Sequence, residues 1–257
     1  MLSRPPARET VLVEPRFVIF NTHLLKKIKA FLRKSVEATH HIHSLQSGAA
    51  AQYYFHYCAH TDAIMSQPGK KAMDTLLLYD TACPESLHKK IAHLIGGEGI
   101  TFSSDVLDAR HIRPCAGCFK CWIKTPGECH LIRDGTNALS ANFVRSRTAI
   151  LLTRVTWGGY SVDTKAFIDR CIPHLSPFFA TLHGEMHHAS RYRRYPNWIV
   201  IGYQAVNVSE QETFLQLIQR NAINFFAPKA AGLCLTGDIL DAENAARFSR
   251  LLRGENV

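Results

Sequence analysis

The sequence lacks any apolar run long enough to cross a bilayer. Its longest runs, TAILL at 148–152 and NWIVIGY at 197–203, fall well short of the ~20 residues that a spanning helix needs, so no transmembrane segment is expected. A secretory signal is also lacking, because MLSRPPARETVLVEP at 1–15 is interrupted by prolines and acids. We therefore expect a cytoplasmic protein whose thiols stay reduced.

Most of the chain has only a small excess of basic over acidic residues, although the net charge of the whole chain is +9. Residues 1–72 contain ten Lys and Arg against four Asp and Glu, whereas residues 73–257 contain twenty against seventeen. A nucleic-acid-binding domain would carry a basic stripe on its folded part. The best candidate is RYRRYP at 191–196, where arginine alternates with tyrosine, but a solvated loop is the favoured interpretation. We expect no nucleic-acid partner.

From Met73 onward, apolar strand-like runs alternate with amphipathic helical segments. The predicted strands are DTLLLYD (74–80), ITFSSDVLD (100–108), TAILLTR (148–154, central), NWIVIGY (197–203) and AAGLCLTG (230–237). The longest predicted helix covers 209–226, with Ser209 as its cap and Glu212 three residues on. This pattern predicts an α/β fold: a flavodoxin-like, doubly wound, five-stranded parallel sheet with helices on both faces. Ligands bind such sheets at the carboxyl ends of the strands.

The N-terminal extension, residues 1–72, does not continue this alternation. HLLKKIKAFLRK at 23–34 predicts a basic amphipathic helix that packs on its own domain or on a second subunit, with a membrane surface as the alternative. The histidines of HHIH at 40–43, with His56, Cys58 and His60 downstream, have no regular metal-ligand spacing. We expect a partly helical extension followed by one domain over 73–257.

The loop TACPES at 81–86 follows the first strand. With Pro84 at the first helical position, the free N–H groups of the following helix would favour an anion such as phosphate. Glu85 in the same turn opposes a phosphate, because it adds a negative charge there. A purely structural turn is therefore the alternative.

The loop TRVTWGGYSVDTK at 153–165 follows the predicted central strand. Its adjacent glycines let a planar ligand approach the backbone closely, and Trp157 and Tyr160 offer aromatic faces. A tryptophan that packs in the core beside a simple turn is the alternative. The position at a strand's carboxyl end favours a ligand site.

Four of the eight cysteines lie close together, in the spacing C-x2-C-x2-C-x7-C at Cys115, Cys118, Cys121 and Cys129. The first three intervals are those of a compact iron-sulfur site. A four-thiolate zinc site more often has two separated C-x2-C pairs. Free structural thiols in a glycine-containing turn before a short helix are the other alternative.

These segments carry a family resemblance. IRPCAGCFKCWIKTPGEC at 112–129, RDG at 133–135 and TAILLTRVTWGGYSVDTKAFIDR at 148–170 resemble the flavodoxin-like NAD(P)H-dependent FMN reductases and the related iron-sulfur flavoproteins. The resemblance covers about residues 74–257. This sequence departs from the family in its short phosphate loop, which keeps neither the arginine nor the glycines of G-S-x-R-x-x-G-N-T, and in having Arg154 where proline is usual.

The resemblance implies non-covalent FMN and a set of site residues. Thr81, Cys83 and Ser86 would face the phosphate, and Cys118 would lie at the rim of the flavin site. The ring would be bordered by Thr153, Val155, Thr156, Trp157, Gly158 and Gly159. Lys165, Phe167, Asp169 and Arg170 would belong to a helix that supports the site and often a subunit contact.

The implied function is an FMN-dependent NAD(P)H oxidoreductase that passes electrons to a quinone, a flavin or another small acceptor, in a homo-oligomer. Such a flavin does the redox chemistry, so no catalytic acid or base is expected. One alternative is an electron-transfer iron-sulfur flavoprotein with a 4Fe-4S cluster on Cys115, Cys118, Cys121 and Cys129. Another is a flavodoxin-like binding protein that has lost FMN.

Overall fold

The computed structural model describes residues 74–131 and 134–255. The predicted extension over 1–72, with its basic helix and its histidines, lies outside the described residues, so the boundary at residue 73 stays a prediction. In chain order the elements are β1 (Thr75–Asp80), α1 (Glu85–Gly97), β2 (Phe102–Leu107), α2 (Lys120–Ile123), α3 (Thr136–Arg145), β3 (Thr148–Arg154), α4 (Val162–Asp169), a 3₁₀ turn (Ile172–His174), β4 (Leu175–Leu182), β5 (Glu185–Ser190), β6 (Asn197–Tyr203), α5 (Val208–Asn224), β7 (Ala230–Cys234) and α6 (Ala242–Leu252).

Five strands form one parallel sheet in the order β2-β1-β3-β6-β7. All five predicted strands are therefore confirmed, and β3 is central as expected. The chain reverses its direction of winding between β1 and β3. In doubly wound sheets this switch point is where a ligand binds, at the carboxyl ends of the two strands.

Apolar side chains cover both faces of the sheet. On one face Leu76, Leu151 and Val200 pack with Phe167 of α4 and Phe214 of α5. On the other face Leu77, Ile150 and Ile199 pack with Ile91 of α1 and Phe248 of α6. Because successive residues of a strand point to opposite faces, strands buried on both sides show the continuous apolar runs that the sequence displays.

A two-stranded antiparallel hairpin was not predicted. β4 pairs with β5 through a two-residue turn at His183 and Gly184, whose φ angles are 51° and 83°. This is the geometry that joins antiparallel strands most directly. The hairpin contacts α5, where Arg220 pairs with Glu185, and it contacts α2, where Trp122 lies against His188 with ring centroids 5.0 Å apart.

Two local expectations need correction. The cap of α5 is Asn207, whose side chain accepts a hydrogen bond from the Glu210 N–H, rather than Ser209. The segment RYRRYP is not simply a solvated loop, because Arg191 and Tyr195 are buried. The Arg191 Nε donates to the Pro173 carbonyl over 2.7 Å and the Tyr195 hydroxyl donates to the His174 carbonyl over 2.7 Å, so this segment anchors the hairpin.

No helix among residues 74–131 and 134–255 is long and apolar enough to cross a membrane.

The tight contact between α5 and the sheet leads to a stability prediction. A Cβ placed on Gly202 of β6 would lie 2.5 Å from Phe214 and 2.6 Å from Val155, so we expect Gly202→Ala to lower the free energy of unfolding by about 1–3 kcal/mol through overpacking. Gly96→Ala is the matched control, because a Cβ there meets nothing within 4 Å and should be neutral or stabilising by about 0.4–1 kcal/mol. Urea unfolding midpoints measure both changes. Equal midpoints for the two variants would contradict this account of the packing.

Candidate functional site

A buried carboxylate lies at the carboxyl end of β1. Asp80 accepts a hydrogen bond from the Tyr203 hydroxyl over 2.6 Å and one from the Arg154 backbone N–H over 2.6 Å. It therefore joins the ends of β1, β3 and β6. Burial, reinforced by this hydrogen bond to a carboxylate, raises the pKa of the Tyr203 phenol far above its usual value, so Tyr203 acts only as a donor here.

The loop after β1 is short, and some of its hydrogen-bond donors are used within the protein. The Cys83 N–H donates to the Asp80 carbonyl over 3.1 Å, which closes a tight turn. Burial, reinforced by the Asp80 carboxylate, raises the pKa of the Cys83 thiol to about 12. Ser86 is exposed in the first turn of α1, which begins at Glu85, so Pro84 is the cap residue and not the first helical residue as expected.

Thr81, the first residue of that loop, is bound by a carboxylate from α4. Its hydroxyl donates to Asp163 Oδ2 over 2.5 Å and its N–H donates to the same oxygen over 3.1 Å. The other oxygen of Asp163 accepts the Ala109 N–H from the loop after β2 over 2.7 Å. Asp163 is buried, and it ties the loops after β1 and β2 to the first turn of α4.

The loop after β3 forms a tight turn that exposes its tryptophan. Thr156 and Gly159 exchange two backbone hydrogen bonds of 3.0 and 2.8 Å, and Trp157 and Gly158 between them have φ angles of 53° and 72°. A positive φ is uncommon for an aromatic residue. The Trp157 side chain is nevertheless 90% exposed, so it does not pack in the core, which was the alternative.

Two contacts with α5 hold this turn in place. The Gly158 N–H donates to Glu210 Oε1 over 3.1 Å, and the other carboxylate oxygen of Glu210 accepts the Val206 N–H over 2.6 Å. A Cβ on Gly158 would lie 2.7 Å from the Thr213 methyl group, so glycine is needed here for both space and backbone conformation.

The other residues that were expected to border the flavin ring differ in their exposure. Val155 is buried in the core, and the buried Thr153 hydroxyl bonds Ser161 at the start of α4. Thr156 is exposed and Gly159 is half-buried. Of the residues expected at the ring, those of the Thr156–Gly159 turn therefore offer side chains and backbone to a ligand, while Thr153 positions α4.

At the other end of α4, Arg170 forms a buried ion pair with Asp134. Its Nη1 lies 2.8 Å from Asp134 Oδ2 and 2.9 Å from the Arg113 carbonyl oxygen. Burial opposes ionisation of Asp134, but hydrogen bonds from Arg170 and Thr136 outweigh it and lower the pKa of this carboxyl well below its usual range. Lys165 and Asp169 form an exposed pair on α4, and Phe167 is in the core.

The four clustered cysteines line one small concavity. Cys115 is exposed, Cys118 and Cys129 are half-buried, Cys121 is buried, and all are free thiols. Arg170, Ile172 and Pro173 complete much of the wall. Burial, followed by the neighbouring Cys115 and Cys118, raises the pKa of the Cys121 thiol to about 12.

Local contacts hold the cysteine segment in shape. Asn137 of α3 accepts the Cys129 N–H over 3.1 Å and donates to its carbonyl over 3.0 Å. Phe119, with a φ of 53°, precedes α2 and stacks on Trp122, with ring centroids 4.7 Å apart. Cys118 lies in this concavity, and no residue of the Trp157 turn is among those that line it.

Sequence reasoning missed Asp80, Asp163, Asn137 and Glu210. Of these four residues, only Glu210 belongs to a pattern that is visible in the local sequence. Asn207 and Glu210 have the N-cap and N3 spacing of a capping box. Asp80 and Asp163 contact residues 123 and 82 positions away, a separation at which local patterns carry no information.

Comparisons with models of protein families and with curated proteins found no match. Among solved structures, the azoreductase from Bacillus anthracis str. Sterne aligns with a TM-score of 0.51 at 7% identity, covering 71% of this chain and 100% of that chain. The NAD(P)H:quinone oxidoreductase from Methanothermobacter marburgensis aligns with a TM-score of 0.48 at 11% identity, covering 72% and 96%. The fold is flavodoxin-like. At such identities the similarity defines the fold alone.

The buried pair of Arg170 and Asp134 supports a pH-dependent prediction. Arg170→Met leaves the Asp134 carboxylate buried without its cation, so we expect a loss of about 3–5 kcal/mol of unfolding free energy at pH 7. The lowered pKa of Asp134 gives the unsubstituted protein stability that is present above pH ~4, the unfolded value, and is lost as the pH falls further.

The stability difference between the two proteins should therefore shrink from pH 7 to pH 3, as measured by urea unfolding. Lys165→Met is the control, because it removes a cation from a surface pair and should change stability by no more than about 1 kcal/mol. A difference that does not change with pH would contradict the role given to Asp134.

Proposed function

We propose that this protein is a flavin-dependent NAD(P)H oxidoreductase whose isoalloxazine ring lies against the Trp157 turn. The exposed Trp157 side chain carries this proposal. It is 90% exposed at the carboxyl end of the central strand, on a backbone fixed with φ at 53° by hydrogen bonds and by Glu210. An unusual backbone conformation that presents an aromatic face at the ligand edge of the fold is typical of a functional site.

The residues at this edge suit the ring of a flavin better than its phosphate. The Thr156–Gly159 turn offers a planar ligand an aromatic face and backbone at close range, and it is already held in position before any ligand binds. In the loop after β1, by contrast, the N–H and hydroxyl of Thr81 both donate to Asp163, and the Cys83 N–H is used in the turn. These three donors are therefore not available to the phosphate of FMN.

A bound flavin would supply the redox chemistry of such enzymes, the transfer of a hydride from a reduced nicotinamide and of two electrons with protons to an acceptor. The chain's own residues bind and orient it. Trp157 provides the stacking face, Glu210 keeps the turn in place, and the exposed Arg154 provides positive charge where β3 ends.

The acceptor that we propose is a flat apolar molecule such as a quinone. Val162, Val206 and Val208 follow the carboxyl ends of β3 and β6, and their side chains are 74%, 81% and 67% exposed. Apolar surface beside a flavin site suits such a molecule. A second copy of the chain that covers part of this surface would agree with the expected homo-oligomer, which stays a prediction.

Substitution of Trp157 tests the proposed function. We expect Trp157→Ala to weaken the binding of added riboflavin or FMN by about tenfold or more, because aromatic stacking is worth about 0.5–1.5 kcal/mol beyond area burial, whereas Trp157→Phe should keep most of the affinity. Quenching of flavin fluorescence measures binding, and stopped-flow bleaching by NADH or NADPH measures reduction. If no flavin binds the unsubstituted protein, the oxidoreductase is excluded and a flavodoxin-like binding protein is left.

A second candidate is the iron-sulfur flavoprotein, favoured by the convergence of Cys115, Cys118, Cys121 and Cys129 on one concavity. Within residues 74–131 and 134–255, no three or more His, Cys, Asp or Glu side chains are arranged to hold a metal ion. A single zinc ion would draw its four sulfurs to ~2.3 Å from one centre. A four-iron cluster leaves its thiolates further apart, so it requires less convergence of the four sulfurs, but it needs more room than a single ion in this small concavity.

Reconstitution with iron and sulfide without oxygen tests this second candidate. If the cluster forms, about four irons per chain should be retained, and Cys118→Ser should lose them. Cys83→Ser is the control, because that thiol lies after β1 and outside the concavity. Retention of no iron by the unsubstituted protein would leave the four cysteines as structural thiols.

A further inference from the structure

The internal carboxylate of Asp163 uses hydrogen-bond donors at the start of the loop after β1 that a phosphate could otherwise use. In a doubly wound sheet an anion binds the loop after β1 through backbone N–H groups and hydroxyls at the start of the next helix. Thr81 supplies one group of each kind, and both donate to Asp163 Oδ2. A third donor, the Ala109 N–H, holds the other oxygen of the carboxylate.

The surrounding charge also opposes a phosphate. Five carboxylates come from segments around the loop, namely Asp80 of β1, Glu85 of α1, Asp108 after β2, Asp163 of α4 and Asp238 after β7. Glu85 is paired with Lys89 and Asp108 with Arg110, each over 2.7 Å. The unpaired carboxylates of Asp80, Asp163 and Asp238 then outnumber two cations, Arg154 and Lys90, whose Nζ donates to the Leu240 carbonyl after β7. A phosphate dianion would therefore still meet an excess of negative charge.

We propose that Asp163 takes the place of a ligand phosphate and that the site selects an isoalloxazine without a phosphate group, such as riboflavin. This inference rests on the proposed flavin site. The buried carboxylate accepts both donors of Thr81 and fixes the loop after β1 to α4, so Thr81 needs no anion as a hydrogen-bond partner. Affinity then comes from the ring and the Trp157 turn, and a phosphate adds only repulsion.

The direct test compares riboflavin and FMN on the unsubstituted protein by fluorescence quenching. We expect riboflavin to bind at least about tenfold more tightly than FMN. Because the repulsion is electrostatic, rising salt should narrow the gap by improving FMN binding while leaving riboflavin unchanged. Tighter binding of FMN would overturn the inference and leave the oxidoreductase standing. Binding of neither flavin would overturn both.

A charge-removing variant tests the role of the residue itself. Asp163→Asn keeps an oxygen that can accept a hydrogen bond but removes the charge, so we expect FMN affinity to rise about tenfold while riboflavin affinity stays the same. Asp105→Asn is the control, because it removes an exposed carboxylate from the edge strand β2 and should change neither affinity. An Asp163→Asn protein with an unchanged ratio of the two affinities would overturn the assignment. Should that variant not fold, the comparison on the unsubstituted protein decides the matter by itself.

Discussion

The buried carboxylate of Asp80 is the interaction on which the ligand edge of this sheet depends. β1 and β6 are not neighbours, since β3 lies between them, yet Asp80 bonds the Tyr203 hydroxyl at the end of β6 and the Arg154 N–H at the end of β3. Hydrogen bonds to an ionised acceptor are among the stronger ones in proteins, and burial strengthens them further. The loops that leave these strands therefore start from points that are fixed relative to one another.

Two further carboxylates at this edge of the sheet also accept hydrogen bonds from the backbone. Asp163 accepts backbone N–H groups from the loops after β1 and β2, and Glu210 accepts them from the Trp157 turn and from Val206. Three internal carboxylates, those of Asp80, Asp163 and Glu210, thus accept hydrogen bonds from loop N–H groups that would otherwise be available to a ligand. Such loops are preorganised, which lowers the ordering cost of binding, but their N–H groups are no longer free for an anion. The first N–H group of the loop after β1 is therefore occupied by Asp163, whereas the Trp157 side chain after β3 is exposed.

How far the sequence predicts this structure depends on the range of the interactions involved. Three strands, β1, β3 and β6, follow from continuous apolar runs, which any segment buried on both faces must show. The edge strands β2 and β7 are only partly buried. The hairpin of β4 and β5 was missed because His183 and Gly184 are not the common Asn-Gly turn and His187 and His188 interrupt its apolar pattern.

The adjacent glycines of the Trp157 turn identified it in the sequence as a candidate site. No local pattern identified Asp163, which accepts hydrogen bonds from the loop after β1. Its partner Thr81 is 82 residues away in the sequence. The two residues can be predicted to be neighbours only once the order of the strands in the sheet is known. Helix α4 then connects the two candidate sites of the molecule. Ser161 and Asp163 at its start bond Thr153 and Thr81, while Arg170 after its end holds the cysteine segment through Asp134 and the Arg113 carbonyl. An eight-residue helix is about 12 Å long, so one short rigid element sets the positions of the Trp157 turn and the cysteines together.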